Sequence, residues 1–131
     1  MTEAAIQKRV MIEATRLGLR VFRNNVGVLM DRRGIPVNFG LCVGSSDLIG
    51  WGKKDGMAFF VAIEVKRPEG VEYLTKVKNG KTFIIEKKIP QGETTAEQEN
   101  FLNEVSKAGG FACVIRDENN KIVGGESHVQ L

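Results

Sequence analysis

The run Phe59-Phe60-Val61-Ala62-Ile63-Glu64-Val65-Lys66 constrains this chain more than any other feature. It is rich in β-branched and aromatic residues and is followed by Pro68, which reads as a strand that ends by residue 66. Side chains on a strand alternate between faces. Phe59, Val61, Ile63 and Val65 therefore point one way, as a wholly apolar set that belongs in a core. Phe60, Ala62, Glu64 and Lys66 point the other way, and that set begins apolar and ends with an acid and a base. A bare Glu-x-Lys pair on a strand is more often a solvated edge, but a solvated face would not carry Phe60 and Ala62. Charges at the end of a buried strand need partners, and a cation held by Glu64 would supply one.

The surroundings fit an α/β layout. Thr2 is a helix N-cap, Ile6, Val10, Ala14 and Leu17 recur at helical spacing, and Gly18 stops the helix. Residues 20 to 24 read as a short strand. Residues 25 to 46, with Gly27, Gly34, Pro36, Gly40 and Gly44, read as mostly irregular, with a brief hairpin around Arg33-Gly34. Residues 47 to 51 form a second short strand and Lys53-Lys54-Asp55-Gly56 a turn. Asn79-Gly80 between two extended runs marks a hairpin over residues 73 to 86. Thr95 opens a second helix, with Thr-x-x-Gln to Gln98 as a capping box and Phe101, Leu102, Val105 and Ala108 as its buried stripe. Phe111 to Arg116 is a last buried strand, followed by a polar turn at residues 117 to 120. The order predicts one domain over residues 1–131, with its core at about 2–116 and a mixed central sheet flanked by helices.

Composition removes several classes. With 131 residues, 42% hydrophobic and 27% charged, the chain is an ordinary globular size for one domain. Cys42 and Cys113 lack framework or zinc-ligand spacing, and the one histidine is His128, so neither a disulfide nor a zinc site is expected. No apolar run is long enough for a bilayer and no leader-like stretch opens the sequence, so the expectation is a cytoplasmic protein without a membrane partner. A net charge of +3 is compatible with nucleic acid.

Asp47 adds a second carboxylate on the strand neighbouring Glu64. Two carboxylates on adjacent strands can hold one divalent ion through oxygen, with several waters retained. Such an ion activates water and polarises a phosphoryl oxygen. Lys66 would orient the nucleophile and offset developing charge. These are the parts that phosphodiester hydrolysis requires.

The segments Gly44-Ser45-Ser46-Asp47-Leu48-Ile49-Gly50 and Ala62-Ile63-Glu64-Val65-Lys66-Arg67-Pro68 resemble the VRR-NUC family of the PD-(D/E)XK nuclease superfamily. So do Glu3-Ala4-Ala5-Ile6-Gln7, Arg23-Asn24-Asn25, and the helix Thr95 to Leu102 followed by Ala108-Gly109-Gly110, so the likeness runs from Glu3 to Ile115. Ser46-Asp47 stands where the family has Pro-Asp, and the stretch from Glu69 to Thr94 is longer than the family pattern. The resemblance implies a restriction-endonuclease-like core. It implies that Asp47, Glu64 and the Val65 carbonyl bind Mg²⁺ or Mn²⁺ and that Lys66 is the catalytic lysine. It places Glu3 beside the metal as an outer carboxylate and brings Gln98 to the site from the second helix. Glu3 could instead serve only its helix dipole, and Gln98 only its capping box.

Arg23, Asn24, Ser45 and Ser46 are candidate DNA contacts beside this site. Lys53, Lys54, Lys76, Lys78 and Lys81, with Lys87 and Lys88, fall in turns or the hairpin and as a group suit phosphate, although charge on a hairpin also guards its edges. Stand-alone members of the family resemble Holliday-junction resolvases, so the implied protein is a homodimeric endonuclease of phage type acting on branched DNA. The rival is a non-catalytic DNA-binding module that keeps the fold.

Overall fold

The computed structural model describes residues 2–116, Ile122 and residues 126–127. Its elements run α1 (Glu3–Arg16), β1 (Arg20–Arg23), β2 (Gly27–Met30), β3 (Pro36–Phe39), β4 (Leu48–Lys54), β5 (Met57–Val65), β6 (Gly70–Lys78), β7 (Lys81–Ile89), α2 (Ala96–Lys107), β8 (Phe111–Ile115) and β9 (Glu126–Ser127). Five strands form one mixed sheet in the order β1-β4-β5-β8-β9. The β5–β8 pair is parallel and the others are antiparallel. A parallel pair needs a crossover, and here the chain returns through α2.

The alternation along β5 sorts the core into two layers. Val61, Ile63 and Val65 pack with Ile6, Val10 and Ala14 of α1 and with Phe111, Cys113 and Ile115. Ala62 lies on the other face, with Leu102 of α2 and with Ala112 and Val114. Each fully buried Ile, Leu or Phe contributes roughly 1.5–3 kcal/mol. Thr2 caps α1 by accepting from the Ala5 N–H at 3.1 Å.

Two of the tight hairpin turns follow their dipeptides. Asp55-Gly56 joins β4 to β5 with φ of 52° and 78°, and Asn79-Gly80 joins β6 to β7 with 53° and 76°. Positive φ at both central positions is what a hairpin turn matched to strand twist requires. The β6–β7 hairpin extends beyond the expected residues 73 to 86, pairing from Gly70↔Ile89 to Lys78↔Lys81.

The brief hairpin expected around Arg33-Gly34 is β2 and β3, paired over four residues each from Gly27↔Phe39 to Met30↔Pro36, and the rest of residues 25 to 46 is turn and loop. Two readings need correction. Phe60 is 41% exposed, since α2 covers only part of its face. A further strand, β9, pairs with β8 beyond the expected core. The expected turn at residues 117 to 120 and His128 lie outside the described residues. Cys42 is exposed and Cys113 buried, and both are free. Among the described residues no helix is long and apolar enough to cross a membrane.

Candidate active site

The sheet register brings Asp47 to Glu64. Leu48 is paired with Ile63, so the next step outward sets Asp47 across from Glu64, just before β4 begins. Asn24 N–H donates to the Asp47 carbonyl at 2.8 Å and extends the β1–β4 pairing through this row. The Asp47 side chain is fixed by Val65, whose N–H donates to Oδ2 at 2.9 Å.

Glu64 is 2% exposed. Its Oε1 accepts from Gln98 Nε2 at 3.3 Å and lies 3.7 Å from Lys66 Nζ. Its Oε2 is buried and has no donor among the described residues. Two ionised carboxylates cannot hydrogen-bond to each other, so Asp47 supplies none unless a proton is shared. Burial pushes the Glu64 carboxyl from its ordinary 4.5 up to about 8. The Asp47 charge and a hydrogen bond with Asp47 add to this, while Lys66 opposes it. A buried acid facing a second acid, with an oxygen left over, is the environment a divalent cation stabilises. The donors are hard oxygens, which suit Mg²⁺ or Mn²⁺ with water completing the shell. The chain's own residues therefore fit such an ion at Asp47 and Glu64.

Lys66 follows β5 directly. Its N–H donates to the Ile115 carbonyl at 3.0 Å, so the strand-like course continues and keeps Lys66 on the Glu64 face. Gln98 serves two purposes. Its side-chain oxygen accepts from Thr95 N–H at 2.9 Å, completing the capping box, while its amide nitrogen reaches Glu64. Glu3 accepts from the Arg67 N–H at 2.8 Å. It reaches the end of the Glu64 strand, but among the described residues no three of His, Cys, Asp and Glu gather as a metal cage. The hydrogen bond of the Glu3 carboxylate is thus to backbone, at the end of the strand that carries Glu64.

Asn24, Ser45 and Ser46 were expected to meet DNA, and the structure places them differently. All three are buried. Asn24 Nδ2 donates to Ser45 Oγ at 2.7 Å and to the Ser46 carbonyl at 2.9 Å, and its Oδ1 accepts from Leu41 N–H at 3.0 Å. Ser45 Oγ in turn donates to the Cys42 carbonyl at 2.6 Å. These bonds hold the loop that delivers Asp47: the Asn24 and Ser45 side chains are turned inward, while Ser46 takes part through its carbonyl and its buried Oγ has no partner among the described residues. Gly44, at φ +85°, lets this loop lie against the start of α2. A Cβ there would sit 2.6 Å from the Cβ of Glu97.

Arg23 is exposed at the end of β1, and Lys53 and Lys54 are exposed at the end of β4. Lys76, Lys78 and Lys81 are exposed on the β6–β7 hairpin. Arg67 was not singled out from the sequence. Its guanidinium donates to the Pro90 carbonyl at 3.0 and 3.2 Å and ties the hairpin root to the strand end. Its place directly after Lys66 was the only signal available.

Comparison with protein-family models, curated proteins and solved structures gave no match for this chain.

Proposed function

We propose that this chain is a Mg²⁺- or Mn²⁺-dependent deoxyribonuclease with a restriction-endonuclease-like core, similar to the VRR-NUC family. The observation that carries the reading is the buried Glu64, with one oxygen lacking a donor, set across from Asp47 and beside Lys66. Asp47 and Glu64 would hold the ion, joined by the carbonyl of Val65, which lies between Glu64 and Lys66 in sequence. Bound there, it supplies Lewis-acid activation of water and of a phosphoryl oxygen.

The residues divide the remaining work. The Val65 N–H fixes the Asp47 carboxylate. Gln98 orients Glu64 through Oε1 and leaves Oε2 for the ion. Lys66, held near Glu64, presents an ammonium that orients the attacking water and offsets charge on the phosphoryl oxygens. The substrate of the reading is branched DNA in the cytoplasm of a bacterial or phage-infected cell, cut by a two-fold homodimer that addresses paired strands. Exposed apolar side chains on β2 and β3, among them Leu29 at 67% and Val37 at 50%, support association. Labelled linear, flapped and four-way DNA, incubated with and without Mg²⁺ or Mn²⁺, tests both the chemistry and the substrate. Metal-dependent cleavage favouring the junction is expected. DNA binding without cleavage in either metal points to the non-catalytic module instead.

A further inference from the structure

The β6–β7 hairpin sorts its charges by face. Directly opposed residues share a face, so the pairs Glu72↔Lys87, Leu74↔Ile85, Lys76↔Phe83 and Lys78↔Lys81 lie on one side. That side carries four lysines and one glutamate, net +3. The other side carries Val71↔Lys88, Tyr73↔Glu86, Thr75↔Ile84 and Val77↔Thr82, where one lysine and one glutamate cancel. Lysines that only guarded an edge against aggregation would have no reason to collect on one face. Lys78 directly opposite Lys81 is a like-charge pair, which weakens a hairpin unless an anion lies over it.

The hairpin also leaves the candidate site at a fixed point. It begins at Gly70, four residues after Lys66. Its return is bonded to Arg67 through the guanidinium on the Pro90 carbonyl and through the Gly92 N–H, which donates to the Arg67 carbonyl at 2.7 Å. Each strand has nine residues. At about 3.3 Å per residue the arm reaches about 30 Å, or roughly nine base pairs of duplex at about 3.4 Å each.

We infer that β6–β7 is a DNA-duplex arm. Its Lys76, Lys78, Lys81 and Lys87 face lies along the phosphate backbone of one duplex flank leading away from the cut. The inference rests on the nuclease reading for its substrate. It adds the flank that is held, the face that holds it, and Lys87 as a member of that face. Phe83 and Ile85, interleaved with the lysines, give the face apolar contact with the sugars.

The test is duplex binding by the full chain, without divalent metal, across a KCl series. Each phosphate contact contributes about 0.9 to the slope of log affinity against log salt. Replacing Lys76, Lys78, Lys81 and Lys87 together by Gln should lower that slope by about 3 to 4, while Lys88→Gln on the other face leaves it unchanged. Should the fourfold variant lose its strand signal, Lys76→Gln with Lys87→Gln should still lower the slope by about 2. Wild type should also lose affinity as the flank is shortened below roughly nine base pairs, the length the arm spans. An unchanged slope in the folded variants, or an equal fall with Lys88→Gln, overturns the arm. Wild type that cleaves with Mg²⁺ while the variants keep its slope removes the arm and leaves the chemistry. Wild type that binds as described and never cleaves leaves the arm and removes the nuclease reading.

Discussion

Gln98 bonds Glu64 and the start of its own helix at once, its amide nitrogen 3.3 Å from Glu64 Oε1 and its amide oxygen 2.9 Å from the Thr95 nitrogen. A helix cap and a site contact that looked like alternatives are one side chain. Separating them needs two variants. Gln98→Ala removes both bonds and should cost about 1 kcal/mol through the lost cap, read as a lower Tm. Gln98→Glu keeps the capping acceptor but sets a second acid against Glu64. It should keep the wild-type Tm within a few degrees and cut roughly tenfold more slowly. Equal activity in Gln98→Glu and wild type would restrict Gln98 to the cap.

The raised Glu64 carboxyl makes the metal-free protein sensitive to pH. Its folded value of about 8 lies above the ordinary 4.5, so the folded state holds the proton more tightly. This contribution to stability is therefore complete below pH 4.5 and is lost as pH rises toward 8, with a slope of up to about 1.4 kcal/mol per pH unit. Glu64→Gln has no proton to lose. Denaturant melts in chelator should show the variant overtaking wild type between pH 5 and about 8, although it no longer cuts DNA. Parallel stability curves for the two proteins would contradict the buried-acid account.

Asn24 holds the loop that delivers Asp47 through three side-chain hydrogen bonds. Asn24→Ala leaves buried partners unsatisfied and should cost about 2–3 kcal/mol. Asp47 itself remains, so excess Mn²⁺ should recover part of the cleavage, unlike in Asp47→Ala. A metal titration of activity in both variants checks this, and an Asn24→Ala enzyme with a wild-type metal requirement counts against the positioning role.

The sequence made the local signals readable and hid the distant ones. The β5 alternation separated the two faces of the sheet and put Glu64 with Lys66 on one of them, and the structure shows that face to be the one α2 covers. Asn-Gly and the Thr95–Gln98 spacing located a hairpin and a helix, because each signal lies within four residues. The burial of Asn24, Ser45 and Ser46 was hidden because Asn24 reaches Ser45 and Ser46 across 21 and 22 residues, and small polar residues look the same in a clamp or on a surface. The β9 strand was missed because two residues have no periodicity, and their pairing with Cys113 and Val114 is set by tertiary structure. The Lys87 side of the hairpin depends on register, which only the paired strands reveal.

Assembly can be read by light scattering. The proposed dimer should give twice the 14.5 kDa of one chain at micromolar concentration. Leu29 and Val37 are directly paired and share a face of β2–β3. Leu29→Lys with Val37→Lys should shift the protein to monomer and reduce paired cutting of a four-way junction more than nicking of it. A wild-type monomer that cuts linear duplex as readily as a junction would remove the two-fold reading.

The central claim is that Asp47 and Glu64 together hold the ion that cleavage needs. The most direct measurement is DNA cleavage with Mg²⁺ by wild type, Asp47→Ala and Glu64→Ala, each confirmed folded by circular dichroism. Wild type should cut only when metal is present, and both variants should lose activity by at least about a hundredfold, in the range of removing a principal electrostatic group. Cleavage near the wild-type rate in either folded variant would contradict the account.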